Sequence, residues 1–145
     1  MLKEFDAMPL YHETLIVPAD TLKINAVKID IKIEQRTIIL AGVKFPDGCH
    51  DMVHVAGYYG IKQLFPYHSE ESIRGNAETV STIEWWESRV VPWTLTVKGW
   101  SPGTSYSHRI LIRVITLPDA FETPVKLLSG ILQKLDVWLW RIFRI

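Results

Sequence analysis

With 145 residues, 48% of them hydrophobic, the chain is long enough to bury one real core, too short for two full-sized domains, and far too apolar for a disordered protein. Its formal net charge of zero lacks the basic excess that nucleic-acid binders carry, so no specific nucleic-acid partner is expected. Cys49 is the only cysteine, which excludes an intrachain disulfide; the opening MLKEFDAMPLYHE lacks the apolar core of a signal peptide, and no run of about eighteen apolar residues offers a transmembrane span.

Taken in order, residues 13–17 form a short apolar run stopped by Pro18, whose fixed φ and missing N–H suit a strand end. After a turn at Ala19-Asp20-Thr21, Val27, Ile29, Ile31 and Ile33 alternate with Lys28, Asp30 and Lys32. That strict period of two puts every branched aliphatic on one face of a strand. Residues 37–45 predict a second strand with Gly42 as a candidate bulge, and Pro46-Asp47-Gly48 supplies turn chemistry. Residues 52–58 and 61–65 predict two short strands around Tyr59-Gly60, the second ended by Pro66. Residues 67–78 are polar and contain Arg74-Gly75-Asn76, which makes them the longest expected loop and the place where binding would live on a rigid scaffold. Extended structure resumes over 79–86. Trp93, Leu95 and Val97 then face one way and Thr94, Thr96 and Lys98 the other; SPGTSYS is expected to turn the chain back into a hairpin with residues 108–117, where Ile110, Ile112 and Val114 oppose Arg109 and Arg113. Seven or eight short strands without a helical period before residue 120 predict an all-β fold, an antiparallel sandwich of jelly-roll type.

The last stretch breaks this pattern. At 100° per residue, Leu127, Leu128, Ile131, Leu132, Leu135, Trp138, Leu139, Ile142, Phe143 and Ile145 gather on one arc, and Lys126, Lys134, Arg141 and Arg144 lie opposite. Thr123 suits the N-cap and Pro124 the first helical position, so a C-terminal amphipathic helix is predicted. The expected organisation is a sandwich over 1–120 and a docking helix over 121–145. The helix has three possible covers: its own sheet, another protein chain such as a second copy, or a membrane surface toward which its cations would face.

The chemistry-bearing residues favour no catalyst. On one strand His50 and His54 would sit roughly 13 Å apart at about 3.3 Å per residue, too far for one zinc that needs nitrogens at about 2 Å. Cys49 beside them reads as a small buried thiol in a turn, and His12, His68 and His108 as surface residues near strand ends. Acids such as Asp47, Asp51, Glu84 and Glu87 are expected on solvated faces; no glycine-rich phosphate loop or cofactor motif is present. Trp85 and Trp86 are neighbours and must face opposite sides of a strand, and Trp100 shares the polar face of Thr94, Thr96 and Lys98. These three tryptophans are therefore the candidate ligand or partner aromatics, against the alternative that they pack under loops.

The succession LIVPADT, VKIDIKI, VKFPDGCHDMVHVAGYYGIKQLFP and WTLTVKGWSPGTSYSHRILIRVITLP, over residues 15–118, resembles small β-sandwich virion proteins of phages and archaeal viruses. The resemblance implies a capsid, decoration or spike-base role in a virion assembled in the host cytoplasm, without enzymatic activity, and it carries over no functional residue. The expectation is thus a non-enzymatic assembly protein that forms a homo-oligomer, meets other virion proteins, and docks through its last helix onto a partner or a membrane. A carbohydrate- or ligand-binding module using the exposed tryptophans and the 67–78 loop is the alternative.

Overall fold

The structure, a computed structural model, describes residues 10–118 except residue 69. The predicted terminal helix, with its apolar and basic residues, lies outside the described residues. The described residues form nine strands: β1 Leu10–Val17, β2 Val27–Ile33, β3 Thr37–Phe45, β4 His54–Tyr59, β5 Lys62–Phe65, β6 Ile73–Arg74, β7 Glu78–Glu87, β8 Trp93–Trp100 and β9 His108–Leu117. A 3-10 turn, Lys23–Asn25, precedes β2.

The strands form two antiparallel sheets, one ordered β1-β9-β3-β7 and the other β2-β8-β4-β5, with β6 pairing on β4. With β6 set aside, the pairs β4·β5, β3·β7, β2·β8 and β1·β9 nest inside one another. The described chain is one long antiparallel ribbon with its tip at Tyr59-Gly60, rolled so that successive strand pairs fall alternately in the two facing sheets, which is the jelly-roll arrangement. The fold is all-β, as the period-two patterns predict.

Alternation decides what is inside. Ile31 and Ile33 on β2, Leu95 and Val97 on β8, Ile110, Ile112 and Val114 on β9, and Val43 and Phe45 on β3 are buried in one core, with Val27 and Ile29 packed against it. The two sheets come close where β1 meets β8. A Cβ on Gly99 would come within 2.7 Å of Leu15 Cδ2 and 2.9 Å of Val17 Cγ2, so glycine there sets the inter-sheet distance.

Three expectations are corrected. β8 and β9 do not form a hairpin: β8 pairs with β2 and β4, whereas β9 pairs with β1 and β3. The Ser101-to-Ser107 connection carries the chain from one sheet to the other, so the apolar faces of the two strands belong to opposite walls of the core. The bulge in β3 is not at Gly42, which pairs in register with Ser81 and Arg113; the register shifts between Ile38 and Leu40. His108 is buried, not a surface residue: its ring packs on Tyr106 at 4.6 Å and its Nε2 lies 3.2 Å from the Gly48 carbonyl oxygen.

Cys49 sits in the turn after β3, fully buried as expected, and its thiol is pushed up from its ordinary pKa by burial first and by Asp47 second. Both effects disfavour the thiolate, the reactive form. Native protein is therefore expected to react with a thiol-specific disulfide reagent at least about a hundredfold more slowly than urea-unfolded protein at the same pH. Equal rates, read from the released chromophore, would place the thiol outside the core.

Candidate functional site

The sandwich has two outer faces of different character. On the four-stranded sheet, the register aligns Leu10 of β1, Ile115 of β9, Leu40 of β3 and Ile83 of β7 in one apolar row across all four strands. Ile83 is 91% exposed and Trp85, beyond it on the same strand, 62%. Among the described residues β7, like β1, is an edge of this sheet, and it pairs only with β3.

The two neighbouring tryptophans separate as predicted. Trp85 points to solvent, whereas Trp86 packs against the core beside Trp93, at 4.6 Å between ring centroids, and Tyr59, at 5.1 Å. A Trp93 Nε1–H donates to the Gln35 carbonyl at 2.9 Å, so this cluster is anchored and structural.

The outer face of the five-stranded sheet is polar and cationic. Because Leu95, Val97 and Val55 face the core, Thr94, Thr96, Lys98 and Trp100 of β8 and His54 and Tyr58 of β4 point outward. Lys28, Asp30 and Lys32 of β2 join them, paired with Lys98, Thr96 and Thr94. Thr96 Oγ1 donates to Asp30 Oδ1 at 2.7 Å, and the Lys98 ammonium lies 4.8 Å above the Tyr58 ring. Lys28 stands directly across from Lys98, a like-charge pairing that costs stability on a sheet.

At one end of this face the register brings Arg74, His54 and Trp100 side by side across β6, β4 and β8. They line an open pocket of about 530 Å³ together with Lys23, Glu70, Glu71 and Ser72. The His54 imidazole lies parallel to the Trp100 indole, 3° apart in plane and 5.5 Å between centroids. Its Nδ1 is 2.7 Å from Ser72 Oγ. The Lys23 ammonium sits 5.3 Å from the centre of the Trp100 ring. Burial first, then Arg74 and Lys23, hold the His54 pKa below its ordinary value, which keeps the ring neutral at pH 7.

Trp100 is thus no open aromatic platform, although it lies on the polar face. It is 6% exposed because Lys23 and His54 cover it. The 67–78 loop does contribute, through Glu70, Glu71, Ser72 and Arg74. Sequence reasoning missed Lys23 and His54 as members of one site; the cross-strand register that joins them has no local signal. His50 lies in the preceding turn with a positive φ and exposed, away from the strand that holds His54. Among the described residues no three His, Cys, Asp or Glu side chains gather into a metal-binding group, and no helix is long and apolar enough to cross a membrane.

The sequence matches no family profile and no curated protein. Solved structures of similar fold include a cyanophage Pam1 capsid asymmetric unit, at 8% identity over 77% of this chain and 85% of that one, with a TM-score of 0.49. The mitogen from Yersinia pseudotuberculosis is similar at 5% identity over 78% of this chain and 90% of its own, with a TM-score of 0.43. A pilus protein of Bacillus endospore appendages is similar at 13% identity over 76% and 89%, with a TM-score of 0.35. Likeness at this level assigns no function to this chain.

Proposed function

We propose that the protein is a non-enzymatic assembly component, a virion structural sandwich that associates with copies of itself and with other assembly proteins through the β7 edge. One observation carries this reading: β7 is a ten-residue edge strand with Ile83 and Trp85 in solvent. Sandwich proteins ordinarily blunt such an edge with lysine, proline or a short strand. Residues 79–83, TVSTI, hold no charge and no proline, the charges of β7 standing outside this window at Glu78, Glu84 and Glu87. A strand of a neighbouring molecule laid beside β7 would satisfy its outward N–H and C=O groups and bury both side chains. In this reading the terminal segment, with Leu132 and Leu139 on its apolar arc and Arg141 and Arg144 opposite, is the second docking element, set against a partner chain or a membrane surface.

Native mass measurement on the full chain tests the reading. A multimer is expected. The double substitution Ile83→Lys with Trp85→Lys should weaken it at least about tenfold, because these are the large apolar side chains at the edge. Its thermal midpoint should stay near that of the parent, since both side chains already face water. Leu132→Lys with Leu139→Lys tests the terminal arm in the same assay and by flotation with vesicles. A full-length protein that is monomeric at micromolar concentration and binds no vesicle would remove the assembly role.

A further inference from the structure

The geometry points to a second, independent site: the His54 pocket and the cationic sheet face beside it bind an acidic saccharide, with Lys23 and Arg74 taking its carboxylate or sulfate and Glu70, Glu71 and Ser72 taking its hydroxyls.

Lys28, Lys32 and Lys98 stand on one face of the five-stranded sheet, and Lys23 and Arg74 at its end, while Asp30 is the acid on the strands of that face and it is engaged by Thr96. The Lys28–Lys98 pair is repulsive as it stands. A bound anion relieves that repulsion, and so does a row of anions along a polymer. In the pocket itself two cations flank a half-buried imidazole that their own fields help to keep uncharged. A neutral imidazole offers a hydrogen bond without adding a third positive charge to the cavity. Its Nδ1 is already engaged by Ser72, which fixes the ring against Trp100 at the wall of the pocket.

The class of anion follows from the remaining groups. A cavity of about 530 Å³ lies in the range that holds a mono- or disaccharide. Glu70 and Glu71 at its wall are acceptors only, so they suit hydroxyl donors, and beside the two cations Lys23 and Arg74 they leave room for one acidic group and not for the several charges of a phosphate-rich ligand. Nucleic acid is disfavoured on a second count. Single strands are held largely by bases stacked on open aromatic faces, and here Trp100 is covered by Lys23 and His54 while Tyr58 lies under Lys98. What remains is a hydroxyl-rich frame carrying one acidic group per sugar or two.

NMR on the full chain tests this, following the Trp100 indole N–H and the His54 ring during titration. Four probes are compared: a glucuronate-containing disaccharide, the same disaccharide reduced at its carboxyl group, inorganic sulfate, and a short oligothymidine. The acidic disaccharide is expected to shift both signals saturably, and the reduced one to bind at least about tenfold more weakly, as expected for loss of a charge-assisted contact. Arg74→Gln and Lys23→Gln should each weaken the acidic disaccharide by a similar factor without displacing the apolar core signals. Equal binding of the reduced and acidic forms would overturn the proposal. So would sulfate binding as tightly as the disaccharide, a response to oligothymidine alone, or no response to any probe. The comparison between the two disaccharides needs no variant, so it stands even where a substitution impairs folding.

Discussion

Replacing Ile31 with Asp is expected to abolish the folded state. Ile31 is 4% exposed, sits in the middle of β2, and pairs with Leu95, itself fully buried on the central strand β8. A carboxylate there has no partner and no water, and burying an unpaired charge costs several kcal/mol out of a total stability of about 5–15. The outward residues of the same strand should behave oppositely. Lys32→Asp, beside Thr94, is expected to change stability by less than about 0.5 kcal/mol. Lys28→Asp should be neutral to slightly stabilising, because it turns a like-charge cross-strand pair with Lys98 into an attractive one. Urea denaturation followed by far-ultraviolet circular dichroism distinguishes the cases. Equal tolerance of Asp at positions 31 and 32 would mean that the register of β2 is wrong.

That experiment tests the part of the fold most open to sequence reasoning. Val27 to Ile33 alternate without exception, so the chain alone assigns strand, face and core, and the structure agrees. The same logic fails where the deciding interaction is remote. SPGTSYS has the composition of a hairpin turn, yet turn chemistry says only that the chain reverses, not whether it returns in the same sheet. Here the answer lies in the pairing of β9 with β1 and β3. His108 opens β9 with no local mark of burial; Tyr106 and the Gly48 carbonyl bury it. Trp100 was assignable to the outer face by alternation, but its cover comes from Lys23, far away in the chain. The pocket was invisible for the same reason. It depends on a row from Arg74 through His54 to Trp100, and β6, which holds Arg74, is two residues long, too short to show any period. Within the loop only its polar character and length were legible.

The loop that carries Glu70, Glu71 and Ser72 into the pocket hangs on one buried amide, and Gln63→Glu is expected to release it. Gln63 is 7% exposed on β5. Its Nε2 donates to the carbonyl oxygens of Pro66 at 2.7 Å, His68 at 2.9 Å and Glu71 at 3.0 Å, so three backbone acceptors share two N–H groups. Glutamate has nearly the same shape, so packing is preserved and only the chemistry changes. An ionised carboxylate would face three carbonyl oxygens while desolvated, costing about 3 kcal/mol or more at pH 7. A protonated one could still donate a single hydrogen bond, so the folded state raises the pKa of this group above its unfolded value of about 4.3. The folded variant then binds more protons than the unfolded one, and its stability must fall as pH rises. The penalty is least below about pH 4.3 and grows until the pH passes the folded-state pKa. The stability gap between parent and variant should therefore be small at pH 4 and large at pH 7.5, measured by urea unfolding at both. Amide exchange at Tyr67, His68 and residues 70–72 should accelerate in the variant at the higher pH before the core strands respond. A gap that is the same at both pH values would show that the amide does not hold this loop by donating to its carbonyls.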